Sequence, residues 1–113
     1  MAQFALLLPH APDRYSSATE DEMMAIIKDY VAWTEKLTAE GVYKGGHKLN
    51  EAGRTVAAGG AEVHDGPFTE AAEILGGIMV VEARDLDHAV AIAKTNPHLK
   101  HNARIEVRPI DDV

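Results

Sequence analysis

The apolar and polar positions change period several times along this chain, and each change marks an element. Gln3 to Leu8 is a short apolar run closed by Pro9 and followed by Ala11-Pro12-Asp13, the pattern of a buried strand entering a loop. Thr19 with Glu22 three residues later forms a capping box, in which hydroxyl and carboxylate satisfy free amides of a first helical turn. A helix follows. Met23, Ile27, Tyr30, Thr34 and Leu37 recur at helical spacing, Ile26 and Trp33 widen the stripe, and Glu20, Lys28, Asp29, Glu35 and Lys36 take the other side. Gly41 supplies the left-handed stop.

Val42 to Leu49 reads as a strand in which Gly45-Gly46 marks a bulge or a close approach of another group. Arg54 to Ala57 and Ala61 to His64 flank Ala58-Gly59-Gly60 and predict a small hairpin. Asp65-Gly66-Pro67-Phe68 is a turn sequence, and Thr69 to Leu75 reads as a polar connector ahead of Gly76-Gly77. Ile78 to Ala83 has the strongest strand propensity in the chain. Asp85 can cap a helix from Leu86 to about Thr95, ended by Asn96-Pro97, and Ile105, Val107 and Pro109-Ile110 suggest a last strand. With the hairpin set aside, the order is strand, helix, strand, strand, helix, strand, which predicts an α+β ferredoxin-like fold over residues 1–113. Such a fold covers one sheet face with helices. Because Phe4 to Leu8 and Ile78 to Val81 are apolar on both faces, the uncovered face is expected to meet a second copy, giving a homodimer with a pocket between sheet, helix and turn.

Composition narrows the function. The 113 residues carry Lys+Arg 11 against Asp+Glu 18, a formal charge of −7, so a general phosphate-backbone binder is disfavoured and no nucleic-acid partner is expected. The run Phe4 to Leu8 is too short for a membrane span and lacks a basic lead, so the expectation is a cytoplasmic protein without a membrane partner. The chain has no cysteine, which excludes disulfides. Neither a Gly-x-x-x-x-Gly-Lys nor a Gly-x-Gly-x-x-Gly loop occurs, and no cofactor is expected.

The segment Asp65-Gly66-Pro67-Phe68-Thr69-Glu70-Ala71-Ala72-Glu73-Ile74-Leu75-Gly76-Gly77 resembles the signature of the DGPF-type branch of the YCII-related family. The likeness extends to Glu40-Gly41-Val42, Gly45-Gly46, Asp85-Leu86-Asp87 and Glu106-Val107-Arg108-Pro109. It implies a dimeric α+β barrel of ferredoxin-like subunits. It also implies a possible acid-base pair, a histidine on the first helix with an aspartate, but counting back from Glu40-Gly41 puts Tyr30 at that histidine's place. The signature often has lysine where this chain has Ala72. Proteins of this type are often encoded beside, or fused to, extracytoplasmic-function sigma factors, which implies a regulatory or interaction module as the alternative to an enzyme.

Candidate residues follow from both readings. Asp65 is a potential base, or it closes its own turn. His47, after the paired glycines, is a potential proton carrier, against the simpler role of a strand-end histidine. Tyr30, with an ordinary pKa of about 10, is a poor base near neutrality, and both it and Trp33 suit a core with satisfied polar tips. Phe68, Glu70, Gly76, Gly77 and Arg108 are candidate ligand contacts, with Glu70 and Glu73 also readable as a solvated acidic face. His98 and His101 are three apart, but no spacing specific to a metal site is present and none is expected. Ser16 and Ser17 lead into the helix cap rather than into a nucleophilic triad. A cofactor-free monooxygenase on the same barrel rests on fold analogy alone.

Overall fold

The structure is a computed structural model that describes residues 1–66, 73–101 and 103–112. Strand β1 (Ala2–His10) is followed by helix α1 (Glu20–Ala39), β2 (Tyr43–Lys48), the hairpin β3 (Arg54–Val56) and β4 (Val63–Asp65), then β5 (Ile74–Ala83), α2 (Leu86–Ala93), a 3₁₀ turn (Pro97–His101) and β6 (Glu106–Pro109). The main sheet has the order β2-β5-β1-β6, and every neighbouring pair is antiparallel. That is the ferredoxin-like arrangement, with the β3-β4 hairpin as a separate two-stranded sheet.

The caps form where the sequence places them. Thr19 and Glu22 close both bonds of the capping box, and the Asp85 side chain accepts from His88 N. Gly41 takes φ 75° beyond the end of α1, a conformation nearly free to glycine alone. Both helices lie on one face of the sheet. Phe4, Leu6, Val81 and Ala83 from β1 and β5 pack with Trp33 and Leu37 of α1 and Ala89 and Ala93 of α2. On α1 the inward positions are Met23, Ile26, Tyr30, Trp33 and Leu37. Ile27 is 52% exposed, and Thr34 turns its hydroxyl onto the Val31 carbonyl, so these two predicted core positions sit at the edge of the stripe. The register sets Leu7 opposite Ile78 and Ala5 opposite Val80, which places these four on the opposite face, where they are half-buried. The molecule is a slab only 18 Å through its thinnest axis.

Two strands depart from the sequence reading. The segment read as a polar connector contributes Ile74 and Leu75 to β5, which runs through Gly76-Gly77. Between Leu7/Ile78 and Pro9/Leu75 the β5 side has one residue more than β1, a bulge that the two glycines accommodate and that hides the strand from a simple alternation test. β1 likewise continues past Pro9, because the irregular register there tolerates a residue with no N–H. The expected bulge in β2 lies between Tyr43 and Gly45, where Gly45 takes φ 128°.

Candidate functional site

The β1/β5 bulge at Gly76-Gly77 sits under the N-terminal half of α1, and there the helix and sheet part. Gly46 permits an approach no side chain would: a Cβ would come within 2.6 Å of the Tyr43 hydroxyl and 2.9 Å of the Ile78 carbonyl oxygen. At Gly76 a Cβ would collide with the ring of His10. Between helix and sheet lies a cavity of ≈ 310 Å³ whose walls are Leu8, Met23, Ile26, Ile27, Val31 and Met79 and whose polar groups come from His10, Arg14, Tyr15, Tyr30, Tyr43, Lys48 and His98. A cavity of about 150 Å³ holds benzene, so this one has room for a substituted single ring.

One buried histidine organises the polar end. His98 is only 3% exposed, and its Nε2 is 2.8 Å from the Pro9 carbonyl oxygen. A carbonyl only accepts, so Nε2 carries the hydrogen in the neutral ring and Nδ1 is left as an acceptor. The Tyr30 hydroxyl lies 3.0 Å from Nδ1 and donates to it. Arg14 Nη1 approaches the same lone pair at 3.3 Å, while its Nη2 donates to the His101 carbonyl at 2.9 Å. The turn that carries His98 is itself fixed, since the Asn96 side-chain oxygen accepts from His98 N at 2.8 Å and Asn96 Nδ2 reaches Met79 Sδ at 3.5 Å.

Burial sets both titrations. It pushes the Tyr30 hydroxyl well above the ordinary tyrosine range, with the nearby Tyr15 adding to the rise and Arg14 opposing it. It pulls His98 below the ordinary histidine value, and the charge of Arg14 acts in the same direction, although the bond to the Pro9 carbonyl opposes it. At neutral pH the pair is therefore a neutral tyrosine donating to a neutral imidazole. Such a pair can relay a proton: the hydroxyl oxygen accepts one from a bound molecule as its own proton moves to Nδ1, and the imidazolium so formed can return it by the same route.

Of the residues singled out from the sequence, Tyr30, His47, Gly76 and Gly77 border the cavity. His47 pairs with Ile78 in the register, which sets its exposed side chain on the sheet face turned away from the helices and leaves its backbone at the cavity edge. Asp65 lies at the end of β4, exposed, paired with Arg54 at 3.1 Å, and is not among the cavity's lining residues. Gly66 N donates to the Gly53 carbonyl and Thr55 Oγ1 donates to the Gly66 carbonyl at 2.9 Å, while Pro67 and Phe68 of the expected turn lie outside the described residues. Arg108 sits on β6 opposite Ala5, exposed and on the open sheet face. Glu73 is bound by Arg104 at 2.7 Å. Phe68 and Glu70 lie outside the described residues. Among the described residues no group of three or more His, Asp or Glu is arranged to hold a metal.

Arg14 carries no local signal in the sequence, and His98 stands out there only as half of the His98/His101 pair. The signal available was Asn96-Pro97-His98, an asparagine able to cap the turn that buries the histidine. No helix among the described residues is long and apolar enough to cross a membrane.

Comparison with known proteins supplies a family and a fold. The sequence model of the YCII-related domain matches residues 2–113. Functionally curated proteins give no match. Among solved structures, 5-chloro-2-hydroxyhydroquinone dehydrochlorinase (TftG) from Burkholderia phenoliruptrix AC1100, in complex with 2,5-dihydroxybenzoquinone, superposes with a TM-score of 0.54 at 17% identity, covering 96% of this chain and 93% of that one. At that identity the likeness is one of fold.

Proposed function

The chain belongs to the YCII-related family, and from that premise we propose that it binds a small organic molecule in the cavity beneath α1 and moves a proton on it through Tyr30 and His98. The observation that carries this reading is the Tyr30–His98–Pro9 chain, in which a buried imidazole is held as one tautomer with its free lone pair spent on a hydroxyl at a cavity wall. Perturbed titratable groups converging in an apolar hollow are what a small-molecule site requires. The neighbouring fold's dehydrochlorinase binds a dihydroxybenzoquinone, which agrees with a ring-sized occupant. Tyr30 is the group that touches the bound molecule. His98 acts through it as a positioning and proton-storing residue.

The open sheet face, with Ala5, Leu7, Ile78 and Val80, supports a homodimer in which two such faces meet and make the barrel. A non-enzymatic interaction module is favoured by the exposure of Met24, Ile27 and Val31 at 63%, 52% and 46%, an apolar stripe that runs from the outer surface of α1 to the rim of the cavity. Amide NMR of the full chain during a titration with single-ring fragments separates the two readings. Shifts concentrated at Leu8, Tyr30, Gly76 and Met79 are expected for the cavity. Shifts confined to the outer surface of α1, or none, would overturn the small-molecule reading.

A further inference from the structure

We propose that the molecule bound in this cavity is an organic anion, recognised by Arg14 and Lys48; the inference rests on the cavity being a binding site. The chain as a whole carries −7, yet the side chains lining the hollow include two permanent cations and, among the described residues, no carboxylate. Charge distribution across the molecule therefore reverses sign at this site.

Arg14 makes the stronger case. It is half-buried, and none of the ion pairs among the described residues includes it. Its Nη2 donates to two carbonyls, of His101 at 2.9 Å and His98 at 3.5 Å, and its Cζ lies 4.8 Å from the Tyr15 ring centroid. These contacts orient the guanidinium without neutralising it. Its Nε is fully buried and has no hydrogen-bond partner. A cation taken out of water beside an imidazole and a phenol is unfavourable until an anion joins it, and a guanidinium matches a carboxylate or phenolate better than any neutral group. Lys48 completes the recognition. Its register partner is Gly77, which places its side chain on the helix-covered face at the mouth of the hollow, where its exposed ammonium can draw an anion inward. The apolar remainder of the wall, Leu8, Met23, Ile26 and Met79, suits an uncharged ring attached to the charged group.

The test uses matched probes on the full chain: benzoate against benzamide and phenylacetate against phenylacetamide, followed through the amide signals of Tyr30, Gly76 and Met79. The carboxylates are expected to saturate these shifts at concentrations at least tenfold below those of the amides. Lys48→Glu, at an exposed site where folding is unaffected, is expected to weaken the carboxylates several-fold and leave the amides unchanged, while Arg14→Gln abolishes the preference. Equal binding of acid and amide, untouched by Lys48→Glu, would overturn the charge assignment and leave the cavity as a binding site. Failure of all four probes to move these signals would overturn the binding reading, and the charge assignment with it.

Discussion

At its C-terminal end α1 buries Trp33 and Leu37 against Phe4, Leu6 and Val81, and Trp33 Nε1 donates to Thr95 Oγ1 at 2.8 Å. Over its N-terminal half the same helix buries no residue completely, leaves Met24, Ile27 and Val31 in solvent and spans a hollow whose far wall is glycine and bulged strand. The sheet causes this difference. Beneath Trp33 the strands present Phe4, Leu6 and Val81 to the helices, whereas at the other end β5 gives Gly76-Gly77 beside the bulge in its pairing with β1, which offer the helix nothing to pack on. Space left by missing side chains is then bounded by a polar network rather than filled. One end of the helix holds the fold together, and the other borders the cavity with its buried polar groups.

The largest expected effect breaks the packed end. Trp33→Ala removes a buried aromatic and its hydrogen bond, and urea unfolding should show a loss of about 3–5 kcal/mol. Met23→Ala, one cavity wall away, should lose well under half of that, because no close-packed contact is forfeited; equal losses would mean that the two halves are packed alike. Next in size is His98→Gln, which disrupts the bonds to Pro9 and Tyr30 and should lower stability by about 1–3 kcal/mol. Tyr30→Phe leaves His98 its bond to Pro9 and should lose only about 1 kcal/mol, while removing the hydroxyl proposed to carry the proton.

The polar end should also reveal itself through pH. His98 titrates lower in the folded state than its ordinary 6.5, so once the pH falls below that value the unfolded chain binds the extra proton first. Stability conferred by keeping His98 neutral is present above this window and is lost as the pH falls through it toward the folded value. The slope is at most about 1.4 kcal/mol per pH unit for one proton. It should disappear in His98→Gln. A stability profile between pH 7.5 and 5 that is the same for wild type and variant would show that the histidine is not held as described.

The packed end was readable from sequence for a physical reason. Periodicity reports where side chains are buried, and caps such as Thr19/Glu22 and Asp85 report where amides need partners; both signals are local. The cavity end is written in absences and long-range meetings. Gly76-Gly77 interrupts the alternation that would have revealed the start of β5, and the partners Tyr30 and His98 lie 68 positions apart. The sequence reading placed Tyr30 at the position where the family's first-helix histidine stands, and the structure puts a different histidine beside it, contributed by a turn after the second helix. Asp65 stands out in the sequence through the distinctive Asp65-Gly66-Pro67-Phe68 run, and in the structure it ends β4 paired with Arg54, away from the cavity.

The central claim is that His98 stands buried and neutral behind Tyr30 at the wall of a ligand-binding hollow. Side-chain nitrogen NMR of ¹⁵N-histidine-labelled protein tests it most directly. The account predicts a His98 ring that carries its hydrogen on Nε2, stays neutral below the ordinary histidine value of about 6.5, and moves when benzoate is added. A His98 ring that gains its second proton at or above that value, and ignores the fragment, would contradict it.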